Sequence, residues 1–131
     1  MQIPIEELES ILASHRRYLA GGEDGAAANF EGADLYGANL MDADLAGAVL
    51  CGANLKRTIL FNACLKSADL ERADLKHAIL EGADLEGANL AQAALKGANL
   101  EHANLRGANL EGASLESASL AGAIYDQATR W

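Results

Sequence analysis

The sequence predicts an all-β solenoid preceded by one α-helix, and three observations support this fold class. A five-residue pattern recurs without insertion or deletion from residue 28 to residue 127. A period of five fits neither a single α-helix nor a flat β-strand. Residues 4–19 instead carry apolar side chains at helical spacing. We therefore divide the chain into a helix with its linker (1–27), a repeat region (28–127) and a short tail (128–131).

Residues 4–19 are predicted to form the helix. Pro4 suits the first helical turn, glutamates lie near the positive end of the helix dipole, and arginines lie near its negative end. Gly21 and Gly22 are expected to end the helix. We expect its apolar face to cap the first turn of the solenoid, although a helix that docks a partner protein is the alternative. That face comprises Ile5, Leu8, Ile11, Leu12, His15 and Leu19, of which Ile5, Leu8, Leu12 and Leu19 are the predicted cap contacts.

The repeat is clearest at residues whose number is divisible by five. They are Phe30, then leucine at every such position from Leu35 to Leu120, then Tyr125. Alanine stands two residues earlier throughout, with Thr58 as the one exception. Asp or Asn occupies twelve of the twenty positions directly before this residue, and glycine occupies ten of the twenty positions two residues after it. Such regularity predicts one structural unit used many times.

The period itself indicates how the chain must run. On an α-helix, five residues advance the side-chain direction by about 140°, so the leucines would scatter around the cylinder. On a flat strand, an odd period would put successive leucines on opposite faces. The chain must therefore turn between repeats, with Asp or Asn bonding the turn backbone and glycine adopting the turn dihedrals. The predicted core then includes Phe30, Leu35, Leu50, Leu70, Leu90, Leu110 and Tyr125.

This repeat resembles the A(D/N)LxG pattern of the pentapeptide repeat family, from about Ala28 to Tyr125. The resemblance implies a right-handed quadrilateral β-helix, in which four pentapeptides make one square coil and twenty units make about five coils. The segment HRRYLAGG before the repeats and the final segment AIYDQATRW also resemble cyanobacterial members of this family.

A four-sided coil would stack residues that are twenty apart in the sequence. Met41 and Phe61 are then expected to stack beside Ile59 and Ile79, which stand where the repeat elsewhere prefers Asp or Asn. An apolar cluster at solvent-facing positions is typical of a contact surface. The cluster is therefore a candidate partner or dimer surface. A local apolar ladder, or cover by the N-terminal segment, is the alternative.

A second column would stack Lys56, Lys76 and Lys96, flanked by Arg57 and His77. Three ammonium groups about one strand spacing apart repel one another, although solvent and salt screen this repulsion. The column is either a site for an acidic partner or a tolerated variation of the surface.

Composition argues against several classes of partner. A formal net charge of −9 repels phosphate backbones and anionic lipids, so neither nucleic acid nor membrane is expected as a partner. The N-terminal segment contains glutamates where a secretory signal would be basic and then apolar. We therefore expect a cytoplasmic protein. Its two cysteines, Cys51 and Cys64, are too few for a disulfide framework and are predicted to be free thiols.

No catalytic constellation is visible in the sequence. The three histidines and two cysteines lack metal-ligand spacing, and no nucleophile elbow or phosphate-binding glycine loop is present. The aspartates occupy the turn-bonding position of the repeat, so they are expected to be structural and not calcium ligands. We predict no cofactor, no metal and no enzymatic activity.

The leading hypothesis is a non-catalytic interaction or scaffold module with an unidentified protein partner, as a monomer or weak dimer. The alternative is a DNA-mimicking inhibitor or protector of DNA gyrase, because some pentapeptide repeat proteins resemble duplex DNA in shape and charge. The net charge of −9 motivates that alternative, whereas the lysine column argues against it. A purely structural role is the third hypothesis.

Overall fold

The repeat region folds as a ladder of single-residue parallel β-bridges between positions twenty residues apart. The computed structural model describes all residues 1–131 and contains one α-helix, α1 (Ile5–Leu19), before this ladder. Asn29 pairs with Val49, for example, and Val49 pairs in turn with Asp69. We call each twenty-residue turn of the ladder a coil. Three-residue straight segments and two-residue turns alternate along it, so each coil has four sides and four corners.

Backbone hydrogen bonds explain why the sides stay aligned. Leu50 donates its N–H to the carbonyl of Asp69 at 2.7 Å, and Asp69 donates its N–H to the carbonyl of Ala48 at 2.9 Å. At each corner the chain changes direction through a bond such as that from Ala53 N–H to the Leu50 carbonyl at 3.1 Å. These bonds link neighbouring coils and close each corner, so the backbone polar groups of the sides are paired within the ladder.

Each corner is a four-residue turn, such as residues 50–53, and its third residue has a positive φ. Gly52 has a φ of 66° there, as a type II turn requires. Nine non-glycine residues adopt the same conformation, among them Arg57 at 57° and His77 at 58°. A non-glycine residue in this conformation costs about 1 kcal/mol of backbone strain. The hydrogen bonds and packing of the stacked coils must therefore hold the turn in place.

Alanine and leucine fill the interior of the coils. The predicted core residues from Phe30 to Leu110 are at most 1% exposed. Tyr125 is different, because its side chain is 62% exposed. The prediction that Tyr125 belongs to the core is therefore wrong: it occupies the leucine position of the last coil, where no further coil of this chain lies against it.

Helix α1 lies against the first coil through its middle residues. Leu8 is buried, Ile11 and Leu12 are partly buried against the core, and His15 is completely buried. Ile5 and Leu19 remain 65% and 39% exposed, so these two predicted cap contacts are wrong. Fifteen helical residues span about 22 Å, whereas a three-residue side spans only about 10 Å. The helix ends therefore overhang the coil.

Two residues before the helix extend the ladder in a way the repeat does not predict. Gln2 pairs in parallel with Asp34, and Ile3 donates its N–H to the Asp34 carbonyl at 3.0 Å. Ile3 thereby packs against the core beside α1. The helix itself is not long and apolar enough to cross a membrane.

The predicted tail also continues the ladder. Arg130 pairs with Asn109, twenty-one residues away, because the last turn contains one additional residue. Thr129 takes the inward position of the repeat alanine, is 7% exposed, and donates its hydroxyl to the Leu105 carbonyl at 2.8 Å. Asp126 closes the wider turn by accepting the N–H groups of Ala128 and Thr129.

Candidate interaction surfaces

Polar side chains close the turns on most sides of the solenoid. At all twelve Asp and Asn positions directly before the leucine, Oδ1 accepts the backbone N–H two residues later. Asn54 also donates its side-chain amide to Asp34 Oδ1 at 3.0 Å, and Asn104 does the same to Asp84 at 3.1 Å. These side chains are therefore engaged in holding corners and neighbouring coils together. No group of three His, Cys, Asp or Glu residues is arranged to hold a metal ion.

One side of the solenoid departs from this pattern most often, with Ile59, Ile79 and Ser119 in place of Asp or Asn. We call it the isoleucine face, formed by residues 38–40, 58–60, 78–80, 98–100 and 118–120. Ile59 and Ile79 pair directly in its ladder, and Ile79 is 39% exposed while Ile59 is half-buried. Because isoleucine supplies no acceptor, the backbone N–H groups of Phe61 and Glu81 have no hydrogen-bond partner within the protein.

The corner after this face carries Met41, Phe61, Glu81 and Glu101, which we call the acidic edge. Asp42 donates its N–H to the Phe61 carbonyl at 2.9 Å, which places Met41 next to Phe61 in adjacent coils. Met41 is 49% exposed and Phe61 is partly buried. The structure therefore places Met41 beside Phe61 at the corner and Ile59 beside Ile79 on the adjoining face.

The corner before the isoleucine face carries Tyr36, Lys56, Lys76 and Lys96, which we call the lysine edge. Nζ of Lys56 and Nζ of Lys76 lie 3.5 and 3.9 Å from Oδ2 of Asp74, on the neighbouring side of the solenoid. One carboxylate thus separates two of the three ammonium groups and reduces their repulsion. Lys96 makes no ion pair within the chain and is exposed.

An apolar crevice lies where α1 meets the first coil, next to the isoleucine face. It encloses about 290 Å³ between Ile3, Leu8 and Leu12 on one side and Ala38 and Asn39 on the other. Asn39 also pairs with Ile59 in the ladder, so the crevice adjoins the N-terminal end of the isoleucine face. Its volume suits a single large side chain better than an extended ligand.

The two cysteines are free thiols, as predicted, and they lie on different parts of the coil. Burial raises the pKa of Cys51, and nearby carboxylates, chiefly those of Glu31 and Asp69, raise it further. Burial also raises the pKa of Cys64. Because the thiolate is the reactive form, both thiols are weak nucleophiles at neutral pH.

Comparison with known families decides the wider assignment. The family model "Pentapeptide repeats (8 copies)" matches residues 38–76, 68–107 and 93–124. The chain belongs to the pentapeptide repeat family. Proteins of this family form right-handed quadrilateral β-helices, and the four-sided coils described above have that architecture.

Solved pentapeptide repeat proteins include relatives of this chain. Rfr23 from the cyanobacterium Cyanothece 51142 is 38% identical over 80% of this chain and 88% of its own, with a TM-score of 0.53. A protein from Nostoc PCC 7120 is 34% identical over 91% and 82%, with a TM-score of 0.33. QnrB1, a plasmid-mediated fluoroquinolone resistance protein, is 20% identical over 75% of this chain and 66% of its own, with a TM-score of 0.36. A search of curated proteins gives no match.

Proposed function

We propose that this pentapeptide repeat protein is a non-catalytic interaction or scaffold module that binds a protein partner through the isoleucine face. The observation that carries the proposal is the replacement of Asp or Asn by Ile59 and Ile79 beside Met41 and Phe61. Each replacement removes a turn hydrogen bond and adds exposed apolar surface. The lost hydrogen bond and the exposed apolar area are both unfavourable on a surface that faces water. On a surface that contacts a partner, burial of the apolar area is favourable.

The scaffold that presents this face is rigid. We infer about five coils, which at roughly 4.8 Å per coil give a rod about 24 Å tall. We also infer that α1 caps the first coil, which the burial of Leu8 and the partial burial of Leu12 support. A preorganised face loses little conformational entropy when it binds, so a modest apolar area can contribute net affinity.

A non-catalytic role fits both the family and the interior. Pentapeptide repeat proteins are generally structural or interaction modules. Leucine and alanine side chains fill the coils of this chain, and its indentations are surface grooves and the crevice beneath α1. We place the protein in the cytoplasm, a reducing compartment that suits two free thiols.

The proposal can be tested by substituting the face back to the repeat pattern. We would immobilise the protein and the variant Ile59→Asn with Ile79→Asn, and pass over both a lysate of the organism that encodes it. Val49→Asn is the matched control, because Val49 has the same repeat position on a different side. We expect a protein that the unchanged chain and the control retain and the double variant does not. Equal retention on all three columns would exclude the isoleucine face as the site.

The net charge of −9 favours a second candidate, namely mimicry of DNA toward DNA gyrase. A DNA mimic needs carboxylates along its contact surface, whereas the lysine edge places three ammonium groups along one corner. Inhibition of gyrase supercoiling that depends on the carboxylates away from the isoleucine face would support this candidate. Unchanged supercoiling at a large molar excess of the protein would exclude it.

A further inference from the structure

The two edges of the isoleucine face carry complementary side chains at matching heights, and we propose that the partner of this face is a second copy of this chain. This inference rests on the proposed function and names the partner of the same surface. The lysine edge stands five residues before the acidic edge in every coil, so each coil contributes one residue to each edge. The successive pairs are Tyr36 with Met41, Lys56 with Phe61, Lys76 with Glu81, and Lys96 with Glu101; the last coil adds Glu116 with Ala121, which form no ion pair.

A two-fold axis parallel to the solenoid axis joins these edges across two copies. Such an axis lies between the two isoleucine faces and leaves both rods pointing in the same direction. It places the lysine edge of each copy against the acidic edge of the other at the same height. Lys76 then meets Glu81 of the second copy, and Lys96 meets Glu101. Because a two-fold interface is self-complementary, each of these ion pairs forms twice.

Apolar and cation–π contacts form the centre and the N-terminal half of this proposed interface. Ile59 and Ile79 lie at the centre of the face, so each meets its own equivalent across the axis. Tyr36, which is 45% exposed, packs against Met41 of the second copy, which is 49% exposed. The ammonium group of Lys56 lies near the ring of Phe61 of the second copy, a favourable cation–π pair.

The charges also select one arrangement over its alternative. A two-fold axis running across the face would reverse one rod and place lysine edge against lysine edge. Like charges opposed across an interface disfavour association, so the same residues that favour the parallel pairing disfavour the antiparallel one. Glu81 makes no ion pair within the chain, and neither does Glu101, which accepts a hydrogen bond from Ser119 Oγ at 3.0 Å.

The size of the face predicts a weak dimer. A surface about 24 Å tall and about 20 Å wide, edges included, buries on the order of 500 Å² on each copy. The total of roughly 1,000 Å² lies at the lower end of specific protein interfaces. Association is therefore expected at the micromolar to millimolar concentrations that correspond to about −8 to −4 kcal/mol.

A charge exchange tests both the partner and its orientation. The variant Lys76→Glu with Lys96→Glu has two acidic edges, and the variant Glu81→Lys with Glu101→Lys has two basic edges. Sedimentation equilibrium of the full chain, from about 10 µM to about 1 mM, covers the expected range. We expect the unchanged protein to dimerise, each variant alone to associate at least about tenfold more weakly, and an equimolar mixture of the two variants to form a heterodimer.

Substitution of the apolar centre provides the second arm. Ile59→Asn with Ile79→Asn should abolish the dimer while circular dichroism and thermal unfolding show an intact fold, and Val49→Asn should dimerise like the unchanged protein. A protein that stays monomeric throughout the concentration range, or a variant mixture that stays monomeric, would overturn the proposal. If the unchanged protein is monomeric and the lysate column still retains a partner that requires the two isoleucines, self-association fails while the proposed function stands.

Discussion

The imidazole ring of His77 occupies the space that a Cβ atom at Gly97, one coil further on, would need. Such an atom would lie 2.5 Å from Nδ1 of His77. His102 and Gly122 have the same relationship in the next two coils. The two histidine side chains reach along the rod axis, and the glycine twenty residues later accommodates each ring. Gly97 and Gly122 therefore accommodate a side chain of the neighbouring coil as well as their own turns.

We predict that Gly97→Ala destabilises the protein more than Gly52→Ala does. Both glycines have similar φ angles, 69° and 66°, so both substitutions carry a similar backbone strain of about 1 kcal/mol. No atom lies within 4 Å of a Cβ at Gly52, whereas the ring of His77 must move for Gly97→Ala. Chemical denaturation should show the additional cost, on the order of 1 kcal/mol, in the free energy of unfolding.

The control is a double-mutant cycle with His77→Ala. Removing the ring should make Gly97→Ala cost no more than Gly52→Ala, because only the shared φ strain remains. Additive effects of Gly97→Ala and His77→Ala would contradict the proposed contact.

The interior and the columns of this fold follow from the sequence alone. Leucine at every fifth position requires a corner in each repeat, and four corners per coil place residues twenty apart side by side, as the pairing of Ile59 with Ile79 shows. The ends do not follow, because the period contains no information about how a long helix overlies a short coil. Ile5 is exposed for that reason, and Gln2 joins the ladder through a single bridge that leaves no repeating signal.

The surface is only partly predictable. Stacking residues twenty apart places Lys76 and Met41 in separate clusters, but it does not show that both clusters border one face. Residues of the lysine column and of the column that contains Met41 are five positions apart in each coil. Once the corners are known to be five residues apart, this offset shows that the two columns border the same face. The position of Asp74 between Lys56 and Lys76 depends on side-chain conformations around a corner, which no spacing rule specifies.

Helix α1 is tied to the first coil by His15, whose Nδ1 accepts the Ala28 N–H at 2.9 Å in a buried position. We predict that His15→Leu destabilises the protein more than His15→Asn, because Asn Oδ1 can replace Nδ1 as the acceptor. Both variants lack the ring, so the difference of about 1–3 kcal/mol in unfolding free energy reports the unsatisfied Ala28 N–H. Amide exchange at Ala28 should accelerate in His15→Leu only. Equal exchange rates in the two variants would contradict this role.

Restoring the repeat residue at Ile79 should stabilise the isolated chain. Ile79→Asn supplies an acceptor for the free N–H of Glu81, as Asn99 does for Glu101 at 2.9 Å in the next coil. The gain is about 0.5–1.5 kcal/mol, reduced because the substitution removes the apolar packing of Ile79 on Ile59. Asn99→Ile is the reverse substitution in the same column and should lower stability. Thermal unfolding of dilute protein, where no dimer forms, measures both; a lower midpoint for Ile79→Asn would contradict the prediction.

The thiol of Cys51 should react slowly and at unusually high pH. Its pKa is raised by burial and by the neighbouring carboxylates, so alkylation by iodoacetamide should reach half of its maximal rate only at a pH above 9.0, the ordinary pKa of the thiol. The raised pKa means that the folded state holds this proton more tightly than the unfolded chain does. The stability it contributes is therefore complete below pH 9.0 and is lost as pH rises through the folded value.

Charge removal around Cys51 separates the two causes. Glu31→Gln with Glu71→Gln removes two of the carboxylates that raise its pKa but leaves burial unchanged, so the alkylation profile should shift toward lower pH without reaching that of an exposed thiol. Cys64 is the internal control. The carboxylates that raise its pKa are those of Asp44 and Asp84, so its profile should not move. A profile for Cys51 that is unaffected by the double substitution would mean that burial and the remaining Asp69, and not Glu31 and Glu71, set its reactivity, and a midpoint at or below 9.0 would contradict both effects.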